Sequence, residues 1–96
     1  MLKLSENAAA ALESIRQNEG IPEAHGARLT GDQKPSGDLE VRLEFVEEVP
    51  EDDHVAEQAG TEVHVDPAIA EPLAAAVMDV QQSGEGLAFV FRPQVP

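Results

Sequence analysis

The chain has 96 residues, 42% of them hydrophobic, which is enough for one folded domain but not for a second core. It contains three Phe and no Trp, Tyr or Cys, so the core is poor in large side chains and burial of a further face in a dimer would stabilise it. The formal net charge of −13 argues against nucleic-acid and membrane partners, because both are anionic. A basic protein partner or a cation is compatible with it.

The N-terminal segment predicts a short strand followed by a helix. Leu2 and Leu4 suit an edge strand, and Ser5 is a typical helix N-cap. Gly20 is expected just after the helix, and Pro22 prevents its resumption. The apolar face of the helix is formed by residues at the spacing i, i+3, i+4 and i+7, namely Ala8, Ala11, Leu12 and Ile15.

Two strands are predicted next, with a loop between them. Residues 25–30 (HGARLT) favour a strand with Ala27 and Leu29 on one side. Gly and Pro punctuate the loop 31–38 (GDQKPSGD). Residues 39–47 (LEVRLEFVE) form the longest clean alternation of apolar and charged residues in the chain. We therefore expect this stretch to be the central strand of the fold.

A charged turn at 47–54 (EEVPEDDH) leads into a predicted hairpin. A three-residue loop, Gln58-Ala59-Gly60, places Val55 across from Val63 on one dry face and puts Gly60 at the position that favours a left-handed backbone. A two-residue loop at Ala59-Gly60 would place Val55 opposite His64 and mix the two faces. The sequence therefore predicts the three-residue loop.

The remaining third of the chain predicts one short helix and at least one strand. The helix is expected over 67–76, starting at Pro67 and interrupted by Pro72. Residues 77–81 suit either the end of that helix or a strand, and 83–86 (SGEG) a turn. Residues 87–91 (LAFVF) are apolar on both faces, which predicts a buried terminal strand. The whole order indicates an α+β domain in which strands predominate.

Several segments together resemble the HesB-like, A-type iron–sulfur carrier family. They are LKLSENAAAAL at the start, LEFVEEVPEDD after the loop, the AGTEVHVDP hairpin and GLAFVFRP near the end. The resemblance runs nearly end to end, over 1–96 as a single HesB-like domain. It implies a pseudobarrel of mixed β-sheets with an N-terminal helix and a short second helix, commonly in a dimer or tetramer. It also implies kinship with proteins that carry iron or iron–sulfur clusters to acceptor apoproteins.

The sequence departs from this family at the residues that bind the cluster. Family members use one cysteine in a Ser-Gly-Cys-Ser-Gly-like loop and two in a Cys-Gly-Cys tail. Here Pro35 takes the place of the first cysteine, beside Ser36 and Gly37, and the sequence stops at Pro96 without the tail. Because clusters are held overwhelmingly by thiolates, the usual route of cluster carriage is excluded and no cofactor is expected. Gly37 is expected to persist for a turn that the next strand requires.

One set of residues has the chemistry of metal ligands. With the three-residue hairpin loop, Asp52, His54, His64 and Asp66 share one face, and two imidazoles with two carboxylates suit Fe(II) or Zn(II). The alternative is a solvated polar face. A shift of the loop by one residue would abolish the site.

Two other groups are weaker candidates. The acidic run is interpreted as a solvated face, since it lacks the spacing of a calcium loop; it consists of Glu47, Glu48, Glu51, Asp52 and Asp53. Lys34 and Ser36 have the chemistry of a nucleophile pair, but no orienting group accompanies them. No enzymatic activity is expected.

These observations predict a non-enzymatic protein-interaction or regulatory module related to iron–sulfur cluster assembly. Its partners would be proteins, the assembly machinery among them, and a second copy of itself. The alternative is a weak iron or zinc binder that uses the hairpin residues. No apolar run approaches the ~20 residues of a membrane span and the N-terminus has no signal-peptide core, so the expected location is the cytoplasm.

Overall fold

The computed structural model describes residues 1–84 and 86–94. Its elements are β1 (Lys3–Leu4), α1 (Glu6–Asn18), β2 (Gly26–Gln33), β3 (Leu39–Val46), β4 (His54–Gln58), β5 (Thr61–Val65), α2 (Pro67–Ala70), β6 (Ala76–Ser83) and β7 (Gly86–Pro93). The strands form one sheet in the order β1-β6-β7 and another in the order β3-β2-β5-β4. The β1–β6 and β2–β5 pairs are parallel and the others antiparallel. The predicted α+β class is confirmed.

Helix α1 begins and ends where the sequence predicts. The Ser5 hydroxyl accepts a hydrogen bond from the Ala8 N–H at 3.0 Å and donates one to Asp79 Oδ1 at 2.7 Å. The Ser5 N–H also donates to the Met78 carbonyl, so this one residue caps the helix and attaches it to β6. Gly20 follows the helix with a φ of +64°, which is the left-handed conformation expected there.

The core lies between the two sheets and α1, and it is built from small and medium side chains. Six of the larger side chains are almost fully buried, with at most 2% exposure: Leu12, Leu29, Val63, Val65, Ile69 and Met78. None of the three Phe residues reaches full burial; all three pack against the edge of this cluster. The largest side chains of the chain therefore lie at the border of the core.

The prediction of a central strand at 39–47 is wrong. This stretch forms β3, which lies at the edge of the four-stranded sheet, while β2 and β5 lie inside it. Leu29 of β2 is 1% exposed, whereas its partner Leu43 on β3 is only half-buried. Period-2 alternation reports that one face of a strand is dry, and it carries no information about how many neighbours the strand has. β2 also continues to Gln33, into the predicted loop.

The predicted register of the hairpin is wrong as well. Ala59 and Gly60 form a two-residue loop with φ values of +53° and +85°, so both residues are left-handed, as in a type I′ turn. Ala56 pairs with Val63 and is buried, while Val55 pairs with His64 and is 39% exposed. The sequence argument placed the larger residue inside. In the fold the smaller residue, Ala56, lies between the sheets.

The last third of the chain differs from the prediction in length and burial. α2 ends at Ala70, because Pro72 has no N–H with which to continue the helix. Residues 77–81 belong to strand β6. Residues 87–91 do form a strand, but β7 is an edge strand rather than a buried one, and Leu87 is 62% exposed. The predicted turn 83–86 includes Glu85, which lies outside the described residues. Pro96 at the end of the sequence also lies outside them.

A buried ion pair attaches the acidic loop before β4 to the centre of the sheet. Arg28 on β2 binds Asp53 through two hydrogen bonds, Nε to Oδ2 at 2.7 Å and Nη2 to Oδ1 at 3.1 Å. The Asp53 side chain is fully buried, and Asp66, the N-cap of α2, lies 3.6 Å from Arg28 Nη2. The hydrogen bond with Asp53 raises the pKa of Arg28 above its ordinary value. One guanidinium thus joins β2, the loop and the start of α2.

We predict that Arg28→Met destabilises the protein by about 3 kcal/mol, because it leaves the buried Asp53 carboxylate without a partner. Denaturation with urea measures this free energy. Arg42→Met is the matched control, since Arg42 pairs with Asp32 on the surface and its loss should cost about 1 kcal/mol or less. The double variant Arg28→Met/Asp53→Leu should recover part of the loss. Equal effects of the two single substitutions would contradict a structural role for the pair.

A second prediction concerns Asp79 and pH. The hydrogen bond from Ser5, followed by that from the Val80 N–H and the charge of Arg92, holds the pKa of Asp79 below its ordinary value of 3.8. A lowered carboxyl pKa stabilises the fold above about pH 4, and this stabilisation is lost as the pH falls through the folded-state value. Ser5→Ala should raise the Asp79 pKa in an NMR titration and cost about 1 kcal/mol through the lost cap. Ser14→Ala, on the exposed side of α1, should leave the Asp79 pKa unchanged and should not destabilise the protein, since alanine favours a helix interior.

Candidate functional site

The loop that carries Pro35, Ser36 and Gly37 forms the exposed tip of the β2–β3 hairpin. It is closed by hydrogen bonds from the Lys34 N–H to the Asp38 carbonyl at 2.7 Å and from the Gly37 N–H to the Lys34 carbonyl at 2.8 Å. Gly37 has a φ of +92°, a conformation that other residues rarely adopt, so the predicted backbone role of this glycine is confirmed. The loop has a defined geometry without any metal ligand.

The two reactive groups of this loop are engaged elsewhere. Lys34 Nζ lies 3.0 Å from Glu40 Oε2, and the Ser36 hydroxyl lies 3.3 Å from Asp38 Oδ2. Each of these side chains is therefore paired with a carboxylate rather than with the other. The geometry gives no support to a Ser-Lys nucleophile.

The structure does not bring Asp52, His54, His64 and Asp66 together. In the observed register His54 pairs with Val65 and His64 pairs with Val55, so the two imidazoles lie on opposite faces of the sheet. Asp66 instead caps α2 and faces Arg28. In residues 1–84 and 86–94, no three His, Cys, Asp or Glu side chains are placed to hold a metal ion. The one-residue shift in the hairpin loop separates the predicted ligands.

The residues of the acidic run also lie in two different environments. Glu47, Glu48, Glu51 and Asp52 are exposed, as expected of a solvated face, but Asp53 is not. Its buried pairing with Arg28 has no signal in the sequence, because Asp52 and Asp53 are chemically identical neighbours. Only the fold distinguishes them.

A wide groove of about 740 Å³ opens on the polar side of the sheet, between α1, the β4–β5 hairpin and the loops before β2 and after β3. Its charged lining is mostly acidic. The ionisable residues that line it are Glu13, Arg16, Glu23, His25, Glu47, Glu62 and His64. We call this surface the acidic groove. Its residues come from four separate segments, and sequence reasoning did not identify it.

Two features shape the acidic groove. Arg16, its only Arg or Lys, donates through Nη1 to the carbonyls of Pro22 and His25 at 2.9 and 2.8 Å, and its guanidinium lies 5.2 Å from the centre of the Phe45 ring. At Gly26 a Cβ atom would come within 2.6 Å of a Val49 methyl carbon and 3.3 Å of His64. A glycine there lets Val49 and the imidazole close over the strand.

A smaller cavity of about 390 Å³ lies where β1 approaches β4. Its walls are mostly apolar, with Leu2, Ala56, Val65 and Ala70 among them, and His54 stands at its rim. The two histidines of the hairpin thus line different cavities. In the described residues no helix is long and apolar enough to cross a membrane.

No protein-family model matches the sequence, and no curated protein matches it. Solved structures do. IscA with the [2Fe-2S] cluster has a TM-score of 0.71 and 22% identity, over 97% of this chain and 82% of the IscA chain. SufA of Escherichia coli, involved in the biosynthesis of iron–sulfur clusters, has a TM-score of 0.77 and 23% identity, over 96% and 79%. A protein from Aquifex aeolicus has a TM-score of 0.72 and 24% identity, over 97% and 91%.

The residues of this chain do not fit an iron–sulfur cluster. The 96 residues include no cysteine, and the tip of the β2–β3 hairpin offers a proline ring, a hydroxyl and a glycine. Neutral oxygen donors are poor ligands for cluster iron, which prefers soft thiolates. The chain therefore has the fold of IscA and SufA, as the resemblance implied, and builds it from residues without a thiolate.

Proposed function

We propose that this protein is a non-enzymatic protein-interaction or regulatory module that works in the cytoplasm beside iron–sulfur cluster assembly. The observation that carries the proposal is the fold of IscA and SufA in a chain without cysteine. Such a chain retains the backbone arrangement of the fold and lacks the thiolate ligands for a cluster. Its partners are proteins of the assembly machinery and a second copy of itself.

The charge of the surface supports a basic protein partner. Four of the six basic residues, Arg28, Lys34, Arg42 and Arg92, pair with carboxylates of the same chain. These pairs engage only five of the carboxylates in the described residues, namely Asp32, Glu40, Asp53, Asp66 and Asp79. Most of the negative charge is thus left uncompensated, and the acidic groove concentrates part of it. A basic surface would be attracted by this field.

The absence of enzymatic activity is part of the proposal. At the tip of the β2–β3 hairpin, Lys34 and Ser36 bind neighbouring carboxylates. In the acidic groove the Thr61 hydroxyl donates to Glu13 Oε1 at 3.2 Å, but Thr61 is buried, which limits its access to a substrate. A strongly charged surface suits recognition of an oppositely charged protein.

The first test is binding to purified cluster-assembly proteins of the same organism, IscA-like and SufA-like carriers among them, by biolayer interferometry. At least one is expected to bind, and its affinity should fall several-fold between 50 and 200 mM salt because surface charges are screened. Glu47→Gln/Glu62→Gln, in the acidic groove, should weaken binding about tenfold. Glu19→Gln/Glu71→Gln, which removes the same charge outside the groove, should change it little. No binding to any of these proteins would contradict the proposal.

The second test is cluster reconstitution. Incubation with Fe(II) and sulfide followed by desalting should leave a colourless protein, since no thiolate is present to retain a cluster. Absorbance between 300 and 600 nm and acid-labile sulfide measure the result. A stoichiometric cluster on the unmodified chain would show that it carries clusters by oxygen or nitrogen ligands and would replace the proposed role.

A further inference from the structure

Strand β7 has a free edge whose hydrogen-bonding residues can be identified. The Gln94 N–H donates to the Ala75 carbonyl at 2.8 Å, so in this antiparallel register the even-numbered residues of β7 bond to β6. The odd-numbered residues Leu87, Phe89 and Phe91 therefore direct their N–H and C=O groups away from β6. In the described part of the chain, no strand lies on that side.

The free edge of β7 is also the least protected of the sheet edges. Proteins usually guard edge strands with charges, prolines or a covering segment. β3 carries Glu40, Arg42 and Glu44 along its length, and the edges of β1 and β4 lie beside each other. Along β7 the one described charge is Arg92, near its end, and it is neutralised by Asp79 at 3.4 Å.

The side chains of this edge are incompletely buried. Phe91 pairs with the fully buried Met78, and Phe89 pairs with Val80, so the odd-numbered residues face the core side of the sheet. Phe89 and Phe91 are nevertheless only partly buried, and Leu87 is 62% exposed. An apolar face of this kind gains stability when a neighbouring strand extends it.

We propose that β7 pairs with β7 of a second copy, antiparallel, about a two-fold axis at Phe89. In this register Leu87 faces the second copy's Phe91, and the two Phe89 residues face each other. All three outward-facing residues of each copy then pair among themselves, which forms six backbone hydrogen bonds. The result is a continuous six-stranded sheet in the order β1-β6-β7-β7-β6-β1. Pro93, which has no N–H, ends the ladder.

A second copy suits this edge better than a basic partner. The edge has no free carboxylate among its described residues to attract a cation, whereas an identical strand supplies matched length, register and apolar side chains. Two copies with a charge of −13 each repel at long range. Salt screens this repulsion, so dimer formation should strengthen as ionic strength rises. Binding of a basic partner has the opposite salt dependence.

This inference rests on the self-association in the proposed function, and it assigns the edge of β7 as the interface between the two copies. The test is hydrogen exchange of the unmodified protein by NMR at 500 mM salt, at two protein concentrations that span the dimer equilibrium found by sedimentation. The amides of Leu87, Phe89 and Phe91 should exchange ~10-fold more slowly or more in the dimer, because pairing protects them. The amides of Ala88 and Val90 bond to β6 in both states and should change much less.

A matched pair of variants completes the test. Leu87→Lys places a charge on the apolar edge at an already exposed position and should raise the dimer dissociation constant at least ~10-fold by sedimentation. Glu19→Gln changes the net charge by the same amount far from β7 and should leave that constant within about twofold. A protein that stays monomeric at 500 mM salt, or a dimer without protection of the three odd-numbered amides, would overturn the inference. Binding to cluster-assembly proteins is measured separately, so loss of one result leaves the other intact.

Discussion

The contact between Arg28 and two carboxylates organises the four-stranded sheet. Arg28 comes from β2, Asp53 from the end of the acidic loop and Asp66 from the start of α2. Three segments far apart in the sequence therefore meet at one guanidinium. A bidentate pair with a fully buried carboxylate is directional, so it sets where the loop ends and where β4 begins. The parallel pairing of β2 with β5, which has no connecting turn to define it, depends on such long-range contacts.

The core of this protein is filled mostly by small and medium side chains, and this determines where its largest side chains lie. Its core is closed by alanines, valines and leucines, and α1 packs through Ala8, Ala9 and Ala11. Small residues let the helix approach the sheets closely. They leave the three Phe residues at the border of the core, on the edge strands β3 and β7. Leu87, which is 62% exposed, and the partly exposed Phe89 and Phe91 thus lie together on a strand that has no second neighbour in the described part of the chain.

Local features of the sequence were predictable because local physics determines them. Ser5 and Gly20 bound α1 through the demands of helix ends, and Gly37 has the positive φ that its turn requires. The fold class follows from the order of such elements, together with the resemblance of the LEFVEE and VHVDP segments to a known family.

Features that depend on distant contacts were not predictable. The observed register of the β4–β5 hairpin differs from the predicted one by a single residue in the loop. Ala59 adopts a left-handed conformation that its side chain disfavours, because the pairing of Ala56 with Val63 requires a two-residue loop. The predicted metal site depended on the predicted register, and in the observed register its ligands lie apart. The edge position of β3 and the burial of Asp53 follow from partners supplied by other strands and loops, which no local pattern reports.

The tip of the β2–β3 hairpin has a defined backbone geometry that does not depend on a metal ligand. Its geometry comes from backbone hydrogen bonds and from Gly37, and neither needs a ligand at position 35. Pro35 is compatible with the turn and incompatible with binding a metal through its side chain. Since the backbone and the side chain are independent in this way, the turn does not require a thiolate at position 35. The surface of this protein then carries two features that the turn does not determine, an acidic groove and an apolar edge of β7, on a chain with a net charge of −13.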